Sequence, residues 1–159
     1  MSKKLKNQKS GVFVRNLAKK LVVELKPYCK KIEIAGSIRR KAPNPVDIDI
    51  VLIPKDKEKI KQKLSEKGSF IQGGDKKARF RIEGVKVELY FTTPESWGAT
   101  LLAYSSATGS AIGLRIVARK KGFHLNQYGL YKNGKLIAGK TEQDIYKALK
   151  RPYKKSENR

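Results

Sequence analysis

Residues 36–54 read GSIRRKAPNPVDIDIVLIP, and this stretch decides the fold. Its second half, Val46 to Pro54, is rich in β-branched residues and reads as a strand, while Gly36-Ser37 ends a shorter strand over Ile32 to Ala35. Between the two strands lies the basic loop IRRKAPNP. Side chains alternate along a strand, so Asp47 and Asp49 share one face and Val46, Ile48 and Ile50 the other. One acid-x-acid pair is expected by chance in a chain with this many acids, and Asp56-Lys57-Glu58 is another such pair, on a Lys-rich helix. The first pair differs because it interrupts an otherwise apolar strand, where solvating charge has no place.

Working outward, Ser10 is a plausible helix N-cap, and Phe13, Leu17, Leu21 and Leu25 recur at helical spacing until Pro27 interrupts the pattern. That helix should pack on the sheet. Downstream, a Lys-rich helix is predicted over 55–66, and strands near 76–82 and 85–91 should form a hairpin turning at Glu83-Gly84. In the second of these strands Lys86, Glu88 and Tyr90 share a face, which brings a third carboxylate to the sheet. Helices follow over 94–105 and 111–121 with SSATGS between them, the second ended by Gly122. Extended segments over 123–126 and 129–131, a hairpin turn at Asn133-Gly134, and a last helix capped by Thr141 with Asp144 complete the chain. The pattern is α+β, with a basic arm over 1–10, a first subdomain over 11–104 and a second over 105–159. Loose basic stretches are expected at both ends.

Composition limits the chemistry. The chain has 159 residues, 37 Lys+Arg against 14 Asp+Glu and a formal net charge of +23, which points to a polyanionic partner, nucleic acid first. No apolar run approaches the roughly 18 residues of a membrane span, and the basic start carries no signal-peptide pattern, so an intracellular, unsecreted protein with no membrane partner is expected. Cys29 and His124 are each the only residue of their type, which excludes an internal disulfide and a multi-cysteine metal site. Cys29 reads as a small, partly buried residue near a helix end. Any metal must be held by carboxylates. If Asp47, Asp49 and Glu88 meet on neighbouring strands, their repulsion calls for divalent cations, and oxygen ligands suit Mg²⁺ or Mn²⁺. Two such ions form the clamp used for in-line phosphoryl transfer. Gly36 permits close backbone approach, Ser37 offers a hydroxyl and Arg40 a guanidinium fork, a set suited to a triphosphate.

These residues resemble the nucleotidyltransferase superfamily and, within it, the family X DNA polymerases typified by DNA polymerase beta, over about residue 12 to the end. GSIRRKAPNPVDIDIVLIP is similar to the family's first catalytic block and VKVELYF to the strand bearing its third carboxylate. Those two blocks also fit other nucleotidyltransferases. LRIVARKKGFHLNQYGLY followed by TEQDIYKALKRPYKKSENR resembles the polymerase thumb. The resemblance implies a palm, a mixed or antiparallel sheet with helices on one face, plus a small α/β thumb-like subdomain, in a compact form without the amino-terminal lyase domain. It further implies that Asp47 and Asp49 coordinate two Mg²⁺ ions, with Mn²⁺ a possible substitute, and that Glu88 holds the ion that activates the primer 3′-hydroxyl. Gly36, Ser37 and Arg40 would then bind the incoming deoxynucleoside triphosphate. Lys86 would approach the primer phosphate, Arg115 the template near the nascent pair, and Asn126 and Tyr128 the template side. The family's Tyr-Phe-Thr-Gly-Ser block is spread here into AYSSATGSA, which makes Tyr104 the candidate for packing on the sugar and Thr108 for contacting the base, with Ala111 where the family has an Asn. The implied activity is DNA-directed DNA synthesis on primer-template or gapped DNA by a monomer. A template-independent or non-DNA nucleotidyltransferase, and a non-catalytic nucleic-acid-binding module, are the alternatives.

Overall fold

The computed structural model describes residues 9–159. The chain forms two compact units that part between Phe91 and Thr92.

The first unit is built on a five-stranded mixed sheet of order β1-β2-β5-β4-β3: β1 Cys29–Ile34, β2 Ile48–Pro54, β3 Ser69–Gly73, β4 Lys77–Ile82 and β5 Val85–Phe91. Three neighbour pairs are antiparallel, whereas β2 and β5 run parallel. Helices α1 (Gly11–Leu25) and α3 (Lys57–Lys67) close one face, while α2 (Gly36–Arg39) is a single turn after β1. The Ser10 side chain accepts a bond from the Phe13 amide, as the N-cap reading predicts. Asp56 caps α3 in the same way through Lys59. Val14, Leu17, Leu21 and Leu25 of α1 and Ile60 and Leu64 of α3 pack in one core with Ile48, Ile50, Leu52, Phe80, Val87 and Leu89 of the sheet. Each fully buried Leu or Ile there contributes about 1.5–3 kcal/mol from leaving water. Because Ile48, Ile50 and Leu52 are committed to the helices, alternation turns Asp49 to the opposite face.

Several boundaries differ from the sequence reading. Strand β2 begins at Ile48, so Val46 precedes the pleat and is 43% exposed instead of joining the apolar face. Strand β3 has no hydrophobic alternation to reveal it, since all five of its residues are exposed at the sheet edge. The β4–β5 turn sits at Glu83 and Gly84, with φ of 50° and 79°, as a two-residue hairpin turn requires.

The second unit contains α4 (Trp97–Tyr104), α5 (Thr108–Lys120), a three-stranded antiparallel sheet of β6 His124–Asn126, β7 Gly129–Lys132 and β8 Lys135–Ala138, and α6 (Glu142–Ala148). Its core gathers Ala99, Leu102, Ala118, Leu125, Leu130, Ile145, Tyr146 and Leu149. Helix α4 therefore sides with the later residues, where the sequence reading had put it in the first subdomain. Gly98 explains the attachment: a Cβ there would lie 2.2 Å from the Thr141 carbonyl carbon, so only glycine allows this approach of two backbones. Asn133 and Gly134, with φ of 52° and 76°, form the β7–β8 turn, and Thr141 Oγ1 accepts from the Asp144 amide at 3.0 Å.

The carboxy-terminal stretch is not loose. The Arg159 side chain, fully buried, pairs with Glu142 at 2.5 Å, donates through Nε to the Lys154 carbonyl, and lies against the rings of Tyr146 and Tyr153. The basic arm over 1–10, apart from its last two residues, falls outside the described residues. Among the described residues no helix is long and apolar enough to cross a membrane.

Candidate active site

The site of the first unit is assembled by the register of two strands that are distant in sequence. In the parallel β2–β5 pair, Asp49 lies opposite Glu88; in the antiparallel β4–β5 pair, Arg79 lies opposite Glu88 on the other side. The three side chains consequently share a face across three strands. The Tyr90 hydroxyl, one pleat beyond Glu88, stands 2.5 Å from Glu88 Oε2 and 3.1 Å from Asp49 Oδ1, bridging the two carboxylates. Arg79 donates to Glu88 Oε1 through Nε at 2.8 Å and a terminal nitrogen at 2.6 Å. Lys86 Nζ lies 3.5 Å from Asp47 Oδ2 and 3.8 Å from Glu88 Oε1, which ties the third acid to the group.

Gly36 completes the acidic corner. It has φ of +62°, is buried, and a Cβ at this position would stand 2.2 Å from Asp49 Oδ2. The Ala35 amide donates to the Asp49 carbonyl at 2.8 Å, which fastens the turn to the strand. Ser37 lies in the single helical turn that begins at Gly36 and Arg40 caps its carboxy end three residues on; both are half-buried.

The electrostatics are uneven. Burial raises the Asp49 carboxyl above its usual range, the charges of Glu88 and Asp47 add to this, and the Tyr90 hydrogen bond opposes it. Burial also acts on Glu88, but hydrogen bonds from Tyr90 and Arg79 and the charges of Arg79 and Lys86 outweigh it and hold Glu88 below the usual range. Tyr90 is pushed upward by burial and by the Asp49 charge, so at neutral pH its hydroxyl is a donor. The donor set is oxygen-only with three carboxylates, the chemistry that suits a hard divalent cation. Among the described residues no three His, Cys, Asp or Glu side chains form a ready metal cage, and protein cations and a phenol hold these oxygens.

In the second unit, Arg115 is exposed on α5 and, with Asn126, Ala111 and Ser106, lines one small cavity. Asn126 has a structural duty as well: its side-chain oxygen accepts from the Tyr128 and Gly129 amides at 2.8 and 3.2 Å and closes the β6–β7 turn. Tyr104, Thr108 and Tyr128 do not line that cavity; Thr108 is exposed at the first position of α5, and Tyr104 and Tyr128 are half-buried. Sequence reasoning gave no role to Arg79 or Tyr90. For Tyr90 the signal was present, since alternation put it on the face of Glu88; for Arg79 only the hairpin register could have supplied it.

Comparison with known proteins agrees with this picture. A family model described as DNA polymerase beta thumb matches residues 101–159. Repair DNA polymerase X of African swine fever virus, isolate Warthog/Namibia/Wart80/1980, is 29% identical over 154 residues, covering 86% of this chain and 88% of the relative. The protein of that name from isolate Tick/Malawi/Lil 20-1/1983 is 30% identical over 137 residues, 79% of each chain. Leishmania infantum polymerase beta, solved as a ternary P/T complex, shares the fold with a TM-score of 0.77 at 20% identity, over 94% of this chain and 74% of that one. With its acidic corner on the first unit's sheet and a thumb-like second unit, the chain belongs to the family X DNA polymerases.

Proposed function

We propose that the chain extends the 3′-end of a primer on gapped or nicked DNA, using deoxynucleoside triphosphates and releasing pyrophosphate, as a monomeric DNA-directed polymerase. The observation that carries this reading is the Asp49–Glu88 pairing across parallel strands, with Asp47 linked to it through Lys86. Asp47, Asp49 and Glu88 would hold two divalent cations, Mg²⁺ with Mn²⁺ as substitute; bound there, they supply neutralisation of phosphate charge and activation of the primer hydroxyl.

The protein's own groups position the reactants. Gly36, having no side chain, lets the Asp49 carboxylate pack against the turn that carries Ser37 and Arg40, and these two grip the triphosphate with a hydroxyl and a guanidinium fork. Lys86, which lies beside Asp47 and Glu88, approaches the primer phosphate in this reading. In the second unit Tyr104 and Thr108 contact the nucleotide sugar and base, and Arg115, Asn126 and Tyr128 face the template. The attacking oxygen and the leaving pyrophosphate must be in line, so most of the rate comes from positioning and charge neutralisation.

The test is extension of a labelled primer on one-nucleotide-gapped, recessed and single-stranded DNA, with deoxy and ribo substrates compared. Extension on gapped and recessed DNA that follows the template base is expected. Addition to single-stranded DNA without regard to template would replace this reading with a terminal transferase. Asp49→Ala should abolish extension and leave DNA binding intact or stronger, because a negative charge near the phosphates is lost; an active Asp49→Ala protein would refute the assignment.

A further inference from the structure

Glu88 is engaged by protein donors at both of its carboxylate oxygens. A carboxylate offers about four lone-pair positions. On Glu88 two are taken by Arg79 at Oε1 and one by the Tyr90 hydroxyl at Oε2, with Lys86 nearby. Glu88 is 8% exposed, so water has little access to the remaining position. A divalent cation that takes Oε1, where both positions are filled, must therefore displace Arg79, and the two main partners are not equally replaceable. Tyr90 is as buried as Glu88 and holds Asp49 at the same time. The Arg79 side chain is 34% exposed and, with Glu88, lines a cavity of about 400 Å³ bounded by Gln72–Ala78. The guanidinium has room to leave; the phenol does not.

The cavity wall is itself held in place. The Phe91 amide donates to the Lys76 carbonyl at 2.9 Å, the Gly74 amide to the Lys77 carbonyl at 2.8 Å, and Lys57 Nζ to the Asp75 carbonyl at 2.7 Å. Its wall carries Lys76 and Lys77 against the single acid Asp75, so a guanidinium swung into it meets more positive than negative charge, and the move is uphill unless a doubly charged ion replaces Arg79 on Glu88.

Building on the proposed metal-dependent reaction, we propose that Arg79 is an exchangeable counter-cation of Glu88, a positioning residue that keeps the carboxylate oriented and closed until a divalent cation displaces it. Arg79 and the metal compete for one oxygen. Removing the guanidinium must therefore tighten metal binding by as much as the metal weakens the Arg79 contact, since coupling between two partners of one group is reciprocal.

The experiment is titration of the full chain with Mn²⁺, free ion followed by electron paramagnetic resonance, without DNA or nucleotide, for wild type, Arg79→Gln and Arg79→Lys. Arg79→Gln is expected to bind Mn²⁺ about tenfold more tightly than wild type, within the usual range of coupling between two sites. Arg79→Lys keeps the charge but loses the fork, and should fall between them. It also keeps the test decisive if the Gln variant does not fold. Equal Mn²⁺ affinity in wild type and the folded variants, or no binding by any of them, would overturn the proposal. Because the titration uses protein alone, failure of the wild type to extend a primer strikes the functional reading and leaves the Arg79 result readable.

Discussion

At the residue scale the arrangement turns on atoms that leave no spare space. Gly36 is one of them, with a left-handed φ and the Asp49 carboxylate where a side chain would begin. Gly36→Ala should lower single-turnover primer extension by about 10²-fold, because a shift of about 1 Å in a catalytic group is enough for that loss. The strained φ should also reduce stability by about 1–3 kcal/mol, measurable by urea denaturation. The role of Gly36 could be read from the chain, since a glycine before Ser37 and a basic loop implies close approach. What it approaches could not be read: the contact is with Asp49 on the next strand. Tyr90 is similar. Alternation gives its face, but its bridging of two carboxylates depends on Asp49 standing opposite Glu88.

At the element scale, β1 and α6 each carry a buried group with a measurable consequence. Cys29 opens β1 directly after the short 3₁₀ turn Lys26–Tyr28, and is buried in the first core. Burial pushes its thiol up from 9.0 to about 11, against the opposing charge of Lys55. A thiol-specific reagent at about pH 8 should leave the native protein unlabelled and react after denaturation. The folded state favours the neutral thiol, so the stability it contributes is present below the ordinary thiol pKa. That contribution is lost as pH rises from 9.0 toward about 11, where the unfolded chain ionises first. In α6, Glu142 is 4% exposed and paired with the fully buried Arg159 side chain. Glu142→Ala strands that guanidinium among Tyr146 and Tyr153 and should cost about 3–5 kcal/mol in chemical denaturation. The helix and its cap were legible in the sequence, through Thr141 and Asp144. The return of Arg159 was not, because a run of Lys, Arg, Ser and Asn carries no periodicity.

At the scale of the whole molecule the dominant fact is a formal net charge of +23. Binding to duplex DNA should be governed by counterion release, with affinity falling about 10³-fold or more as salt rises from about 50 to about 200 mM, as fluorescence anisotropy would measure. A shallow salt dependence would mean that few of the Lys and Arg residues meet phosphates. The units part at Phe91, ahead of α4, a division that local pattern did not reveal. The apolar residues of a helix show that it must be covered, and not by which neighbour; Gly98 against Thr141 decides that.

The linear chain determined by itself where most of the strands and helices lie, the edge strand β3 and the single turn α2 excepted, that one strand carries Asp47 and Asp49 apart from its apolar residues, that Glu88 shares a face with Lys86 and Tyr90, and that the partner must be an anion. All of these follow from side-chain periodicity, turn chemistry and charge, which are local or additive properties. Only the tertiary structure decided that Glu88 stands beside Asp49 and that Arg159 is buried against Glu142, whereas Arg79 opposite Glu88 follows from the two-residue turn at Glu83 and Gly84. Periodicity names a face but not a register, and register between strands far apart in the chain is set by the joint packing of the whole sheet on its helices.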